Sequence, residues 1–492
     1  MQKLVATKSN RLFFTAPLCI AASLTLTLFS QAATLYVSPS SANPAPPFNA
    51  WTNAAQDIQT AVNATQNGDT VIVTNGIYYT SAVPYGGMTN RVVITNSITL
   101  KSVNGPNFTT IKGQLAIAGL APVTCVYMAT NATLTGFTMK GGQNYGVYCS
   151  TTNCTITNCV ITGCSGNGTG AANGSAAIFA GAVFNSLIIS NQSTGVAYST
   201  CHNCVINFNA AGTSVGCTGG GAYSSVLYNC LLTGNTAAQG GGAGGGTMYN
   251  CTVTANTGGL GGGGGGGGCY GGTFDNCIVY GNYSLTGTSS NYDLTRGVFT
   301  YCCCAPVPSG LSNISANPQF VSAAIGNCHL LPTSPCLGNG DLEAWQQNAV
   351  DLDGNPRVQN FLVDMGCYEL AVAGGIPNWW LSQYGLPTDG SMNNTSLSGD
   401  GRTVKQYYIA DANPTNAASY PALTAIQNGT NAMQLTWQGG VLATQFLDTV
   451  QTMTNANWQT IFTNTPPTPA SNNFTQSGAT NGAGFYRLRM QR

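Results

Sequence analysis

Between residues 131 and 282 the chain alternates short apolar runs with polar corners, and the alternation repeats. Six segments share one frame: NCVITGC from Asn158, NSLIISN from Asn185, NCVINFN from Asn203, NCLLTGN from Asn229, NCTVTAN from Asn250 and NCIVYGN from Asn276. NATLTGF from Asn131 precedes them, and start-to-start spacings run 27, 27, 18, 26, 21 and 26 residues. A helical repeat would show a 3.6-residue apolar period through each unit, and none is present. Short β-branched runs instead predict one turn of a stacked parallel β-solenoid per repeat. Equivalent residues then form ladders with a rise of roughly 4.8 Å per rung. In a strand the Cys and the aliphatic residue two positions later share a face. Cys159/Ile161, Ser186/Ile188, Cys204/Ile206, Cys230/Leu232, Cys251/Val253 and Cys277/Val279 are therefore expected to stack inside. The flanking Asn residues suit bends, since Asn tolerates left-handed backbone, and their amides can bond to one another along the axis. Parallel inward thiols rarely reach disulfide torsion, so the ladder cysteines are expected free; bridges are expected among loop cysteines and among Cys328, Cys336 and Cys367.

Composition narrows the classes. Charged residues make up 6% of the chain with zero net charge, so there is no basic footprint for nucleic acid. The apolar fraction of 43% is enough for a core and argues against disorder. Lys3, Lys8 and Arg11 precede an apolar stretch from Leu12 to Phe29 and the small residues of SQAA. This pattern predicts a signal peptide over residues 1–33, hence an exported, secreted or cell-surface protein. No later segment offers about 18 continuous apolar residues, so no transmembrane helix is expected in the mature chain.

The segment 34–310 resembles the right-handed parallel β-helix proteins of pectin-lyase-like fold. TLYVS at Thr34, DIQTAVNATQNGDTVIVTNGIYY from Asp57, ITLKS from Ile98 and the Asn-Cys frames carry the resemblance. It implies a short helix closing the first turn, for which Ala54–Ala64 is the candidate, and it leaves activity open, because one solenoid hosts lyases, hydrolases, adhesins and structural proteins. Residues 311–370 resemble the choice-of-anchor Q module through NPQFV, HLLPTSPCLGNG, DLDGNPR and DMGCYE. That resemblance implies a segment completing the C-terminal end of the solenoid. From Gly374, GIPNWWLSQYGLP and SLSGDGRTVKQYYIADANPTN look like the C-terminal linker of exported bacterial proteins, spanning 374–416. The family's acidic loop chelates calcium; here Asp389, Asp400 and Asp411 remain as a degenerate set. Residues 417–492 alternate as strands do and fit a small fibronectin-III-like or immunoglobulin-like β-sandwich. The fold class is therefore all-β: a right-handed parallel β-helix, a linker and a sandwich.

Chemistry is scarce where such a solenoid would need it. Residues 141–274 contain no Asp, Glu, Lys or Arg. A lyase needs carboxylates for calcium and a base, and a glycosidase needs two carboxylates. The remaining catalytic candidates are Asp275, Asp293 and Arg296, with Asp275 and Asp293 spaced to meet on adjacent turns. His202 between Cys201 and Cys204 invites a zinc reading, but no second pair matches and Cys204 belongs to the inward ladder. Tyrosines recur turn by turn; Tyr145, Tyr148, Tyr223, Tyr270 and Tyr283 are candidates for stacking on sugar rings, whereas Tyr228 and Tyr249, each just before an Asn-Cys pair, are expected in the core. The sequence favours a non-catalytic, adhesive or polysaccharide-binding protein with no required cofactor. The alternatives are a polysaccharide lyase or glycoside hydrolase acting on acidic glycans, and a purely structural envelope protein.

Overall fold

The computed structural model describes residues 31–116, 120–166, 175–214, 216–260, 265–286, 290–359, 361–429, 432–453, 457–466, 468–477 and 484–492. The expected signal peptide falls largely outside the described residues. From Thr34 to Cys304 the chain winds through three long sheets in turn, with a separate parallel pair, Thr257–Gly258 and Tyr283–Ser284, near the end. The first has 11 strands, from Thr34–Val37 to Val298–Thr300; the second has 10, from Gly76–Tyr78 to Cys303–Cys304; the third has 9, the outermost being Val83–Tyr85 and Cys269–Tyr270. Every pairing within them is parallel except the hairpin of Val83–Tyr85 with Met88–Ile94. This is a parallel β-helix, and parallel crossovers are right-handed in nearly all cases. The first turn is closed by a helix, Ile58–Asn63, shorter than Ala54–Ala64. Asp57 caps it by accepting the Thr60 N–H at 3.0 Å, and Ile58, Ala61 and Val62 are buried.

The repeat frame accounts for the corners. The leading Asn of each frame, Asn158, Asn185, Asn203, Asn229, Asn250 and Asn276, turns the chain from the first sheet into the second with φ between 46° and 53°. That left-handed conformation is the one Asn tolerates best among residues with a Cβ. The Cys and the aliphatic residue that follow point inward, and each of the expected inward pairs is buried. The trailing Asn forms a second column inside the solenoid. Asn191, Asn209, Asn235, Asn256, Asn282 and Asn291 each sit on the next, with amide-to-amide hydrogen bonds of 2.8, 3.0, 2.9, 3.0 and 3.2 Å. From Asn209 on, each side-chain oxygen also accepts the backbone N–H of the preceding Asn in the column, as Asn235 does from Asn209 at 3.0 Å, and Asn191 accepts that of Cys164 at 2.9 Å. Buried amides are tolerated because every rung satisfies its neighbour.

The cysteines described are all free and buried. Along the ladder, thiol replaces disulfide as a weak acceptor: the Cys251, Cys277 and Cys302 sulfurs each take a backbone N–H from the preceding turn at 3.4 Å. The expected bridges among Cys328, Cys336 and Cys367 are not formed. Cys336 packs with Cys303 and Met365, while Cys328 and Cys367 pack against Leu231. Here the cysteines fill apolar volume between the solenoid and its cover.

Residues 311–314 add a last half-rung, with Ile314 bridging Cys303. Beyond that the chain does not continue the solenoid end. It folds back along the outer side of the second sheet, where Val205, Leu231 and Ile278 would otherwise meet water. The Asn corners are its docking points: Asn229 Nδ2 donates to the Val350 carbonyl at 2.7 Å, Asn250 Nδ2 to Asp364 at 3.1 Å and Asn276 Nδ2 to Asp341 at 2.8 Å. Inside this flank Arg357 is fully buried, with Nε 3.1 Å from the Glu369 carboxylate and Nη2 donating to the Asp364 carbonyl at 2.8 Å.

Residues 374–416 carry two short helices, Asn378–Gln383 and Val404–Ile409, joined through Trp380, Leu381, Val404 and Tyr407. The C-terminal part has two three-stranded antiparallel sheets around Leu435, Trp437 and Leu447. No helix among the described residues is long and apolar enough to cross a membrane.

Candidate functional site

Side chains that point inward on one strand leave their neighbours pointing out, and on two faces the outward column is aromatic. On the third sheet Tyr127, Tyr148, Phe179, Ala197, Tyr223, Gly244 and Tyr270 occupy successive rungs. Four of the five candidate tyrosines therefore lie on one face: Tyr148, Tyr223 and Tyr270 in the column, and Tyr145 beside it. Tyr283 lies elsewhere, paired with Thr257 and 59% exposed.

Geometry changes what these rings can do. Tyr127 and Tyr148 stack at 5.0 Å and 28°, and Tyr148 and Phe179 at 5.1 Å and 5°. Rings stacked at the rung spacing use their faces on one another and present edges and hydroxyls outward. Other rings lean across the column instead of stacking in it. Tyr85 meets Tyr127 at 69°, Tyr145 meets Tyr148 at 67° and Tyr198 meets Phe179 at 62°. Tyr85 and Tyr198 are 42% and 44% exposed. Next to Tyr85 lies a surface depression of about 550 Å³, lined by Tyr85, Met88, Thr89, Thr124, Gln143 and Asn144 among others. No lining residue carries a charge. Tyr85 and Tyr198, absent from the sequence-derived candidates, are recognisable only once the rungs are known.

The second aromatic column lies on the first sheet. Phe184, His202, Tyr228, Tyr249, Asp275 and Thr300 are in register. Phe184–His202, His202–Tyr228 and Tyr228–Tyr249 stack at 5.0, 4.6 and 4.9 Å, within 9° of parallel. Tyr228 and Tyr249 are thus half-buried outside the solenoid rather than in its core, because Leu227 and Met248 take the inward positions. The same alternation separates His202 from Cys201 and Cys204, which point in, so the three do not converge. Burial holds the His202 imidazole below its usual pKa. Trp345, from the flank, leans on Tyr228 at 4.9 Å and 70° and donates its Nε1–H to Glu343.

Asp275 ends this column. Its Oδ2 accepts from Thr300 Oγ at 2.9 Å, and its Oδ1 is buried without a partner. Burial first, then the carboxylates of Glu343 and Asp341, raise its pKa to about 6 against an opposing hydrogen bond from Thr300. Asp293 and Arg296 do not join it. They follow the third-sheet strand Cys269–Tyr270, pair with each other at 3.8 Å, and Arg296 lies over the Tyr270 ring at 5.0 Å. The expected meeting of Asp275 and Asp293 on adjacent turns fails because the two residues belong to different sheets.

The degenerate acidic set is dispersed among local partners. Asp389 accepts the Ser391 N–H at 2.9 Å; Asp400 binds Tyr407, Ser398 and Arg402; Asp411 pairs with Arg492 at 3.2 Å. No group of three His, Cys, Asp or Glu side chains able to hold a metal occurs among the described residues.

No family model matches the sequence, and no curated protein does. Among solved structures the chain is similar to the pectate lyase Pel9A, with TM-score 0.46 and 13% identity, over 69% of this chain and 97% of that one. It is also similar to a rhamnogalacturonan lyase, with TM-score 0.34 and 10% identity, over 68% and 100% of the two chains. A third likeness is the A-module of the mannuronan C-5 epimerase AlgE4 of Azotobacter vinelandii, with TM-score 0.30 and 16% identity, over 52% and 71%.

Proposed function

We propose that the protein is an exported, non-catalytic β-helix protein that binds polysaccharide on its third-sheet face. The supporting observation is the uncharged depression beside Tyr85, on the same face as the leaning rings of Tyr145 and Tyr198. Leaning aromatic faces suit the C–H faces of sugar rings, and Thr, Gln and Asn side chains suit their hydroxyls. Export rests on the leader pattern of residues 1–33. The test is a glycan array with the full mature chain, followed by titration of the best ligand. Tyr85→Ala and Tyr145→Ala are expected to weaken binding at least tenfold with the thermal transition kept. Unchanged binding in both variants refutes the assignment of the face.

Cleavage, the competing reading, is favoured by one observation, the half-buried Asp275 with its pKa at about 6. General acid catalysis needs such a group, but also a base or nucleophile across the scissile bond. If turnover exists it runs through Asp275, and Asp275→Asn abolishes it.

A further inference from the structure

The depression beside Tyr85 opens on a face that carries almost no charge. From residue 113 to residue 274 the chain holds one Asp, Glu, Lys or Arg, namely Lys140. Lys140 ends a second-sheet strand, in register with Lys112, and neither lysine lines the depression. Arg91 is buried and committed to backbone: its Nη1 donates to the Ser81 carbonyl at 2.6 Å and its Nε to the Lys112 carbonyl at 2.8 Å. The wall of the depression is fixed by local geometry. Gly86 and Gly87 turn the hairpin at φ 63° and 75°, and a Cβ on Gly86 would collide with the Tyr127 ring. The hairpin therefore lies on the ring column and holds Tyr85 against Tyr127 at 5.0 Å. The rim supplies neutral amides. Gln143 Oε1 accepts the Ala116 N–H at 3.1 Å, while its NH2 and the Asn144 side chain have no hydrogen-bond partner among the described residues.

We infer that this depression takes uncharged glycans and rejects chains that carry a carboxylate, sulfate or ammonium group; the inference rests on the reading of the face as a glycan site. A carboxylate brought here leaves water and meets no counter-charge, and neutral amides return only part of its lost hydration. An ammonium group fares no better, since the lining holds no carboxylate. Hydroxyl and acetamido groups, in contrast, exchange one neutral hydrogen bond for another at small net cost. Their free partners here are the Gln143 NH2 and the Asn144 amide, beside the part of Tyr85 that is exposed. No ion pair forms on binding, so ionic strength has nothing to screen.

The test begins with the full mature chain on an array of neutral, uronate, sulfated and amino-sugar glycans. The selected glycan is then titrated at low and high salt beside its carboxymethyl and hydroxyethyl derivatives, matched in substitution, which add similar bulk and differ in charge. The selected glycan is expected to be uncharged, to bind equally at both salt concentrations, and to lose affinity with Tyr85→Ala. The carboxymethyl form is expected to bind at least about tenfold more weakly than the hydroxyethyl form. Thr89→Lys, which places a cation in the lining, is expected to narrow that gap at low salt and restore it at high salt. Selection of a charged glycan whose binding is lost with Tyr85→Ala overturns the inference and leaves the glycan site standing. Equal binding of the two derivatives, or a gap at low salt that a folded Thr89→Lys leaves unchanged, does the same. If that variant unfolds, the derivative pair decides on the wild-type chain alone. Selection of no glycan, or binding indifferent to both Tyr85→Ala and Tyr145→Ala, removes the glycan site and the inference with it.

Discussion

Replacing Asn235 by Ala takes one rung out of the internal amide ladder. Asn235 is fully buried and makes four side-chain hydrogen bonds. Its Nδ2 donates to Asn256 Oδ1 at 2.9 Å and to the Ile206 carbonyl at 2.8 Å, and its Oδ1 accepts from Asn209 Nδ2 and Asn209 N, both at 3.0 Å. Some neighbours keep a partner: Asn256 Oδ1 still takes the residue 235 backbone N–H at 2.9 Å, and Asn209 Nδ2 still reaches the Ile188 carbonyl at 2.9 Å. The Asn209 N–H loses its side-chain acceptor in a dry interior. An orphaned buried donor costs about 1–3 kcal/mol and each of the other three lost hydrogen bonds about 1 kcal/mol, so the loss is about 4–6 kcal/mol. Asn235→Asp is expected to cost more at neutral pH, since a carboxylate would face two acceptors, Asn256 Oδ1 and the Ile206 carbonyl, in a low dielectric. Because solenoid energetics are nearest-neighbour, the loss is read by native-state hydrogen exchange. Protection is expected to fall at residues 187–256 and to persist at 70–102. A cost below about 1 kcal/mol for Ala, or a milder effect of Asp than of Ala at neutral pH, refutes the role assigned to the ladder.

Asp275 holds its proton more tightly folded than unfolded, its pKa being raised from 3.8 to about 6 chiefly by burial. Its stabilising contribution is full below pH ~4 and is lost as pH rises through about 6, amounting to about 1 kcal/mol once its partial exposure is discounted. Asp275→Asn is expected to flatten the thermal-stability profile across that window, and an unchanged profile contradicts the burial argument. Gly366, at φ 93°, approaches the second sheet so closely that a Cβ would lie 2.7 Å from Thr252 Oγ1; Gly366→Ala is expected to loosen the flank and speed proteolysis within 317–370, with the solenoid intact. The ladder thiols are expected to resist alkylation in the native state, since Cys159 is 2% exposed and burial raises its pKa to about 11. Denaturation without reductant should release all of them, and a bridged ladder in the mass spectrum excludes the packing described.

Period and corner chemistry were legible along the chain. The Asn-Cys frame marks both the left-handed corner and the inward pair, as at Asn229, Cys230 and Leu232, because two-residue alternation fixes the face once the corner is placed. The same alternation, carried back across the corner, puts Leu227 in and Tyr228 out, and the reversal at Asn229 is what keeps Tyr228 from the core. Proximity between turns was not legible. Asp275 and Asp293 are 18 residues apart, as Asn185 and Asn203 are, yet the intervening chain crosses to another sheet. The position of the flank was not legible either, for a related reason. Its contacts with Asn229, Asn250 and Asn276 span 65 to 121 residues, and nothing local in DLDGNPR or DMGCYE names those partners. Ring stacking was hidden too, since it depends on rung register: only the structure shows that Tyr148 spends its faces on Tyr127 and Phe179 while Tyr145 and Tyr85 lean across the column.

The central claim is that the third-sheet face, at the uncharged depression beside Tyr85, holds a polysaccharide without cutting it. Affinity electrophoresis through gels containing the glycan selected by array, with the chain length of that glycan measured before and after prolonged incubation, tests both halves at once. The account predicts that the protein is retarded, that Tyr85→Ala with Tyr145→Ala abolishes the retardation, and that the glycan keeps its length. Shortening of the glycan, or retardation indifferent to both substitutions, contradicts it.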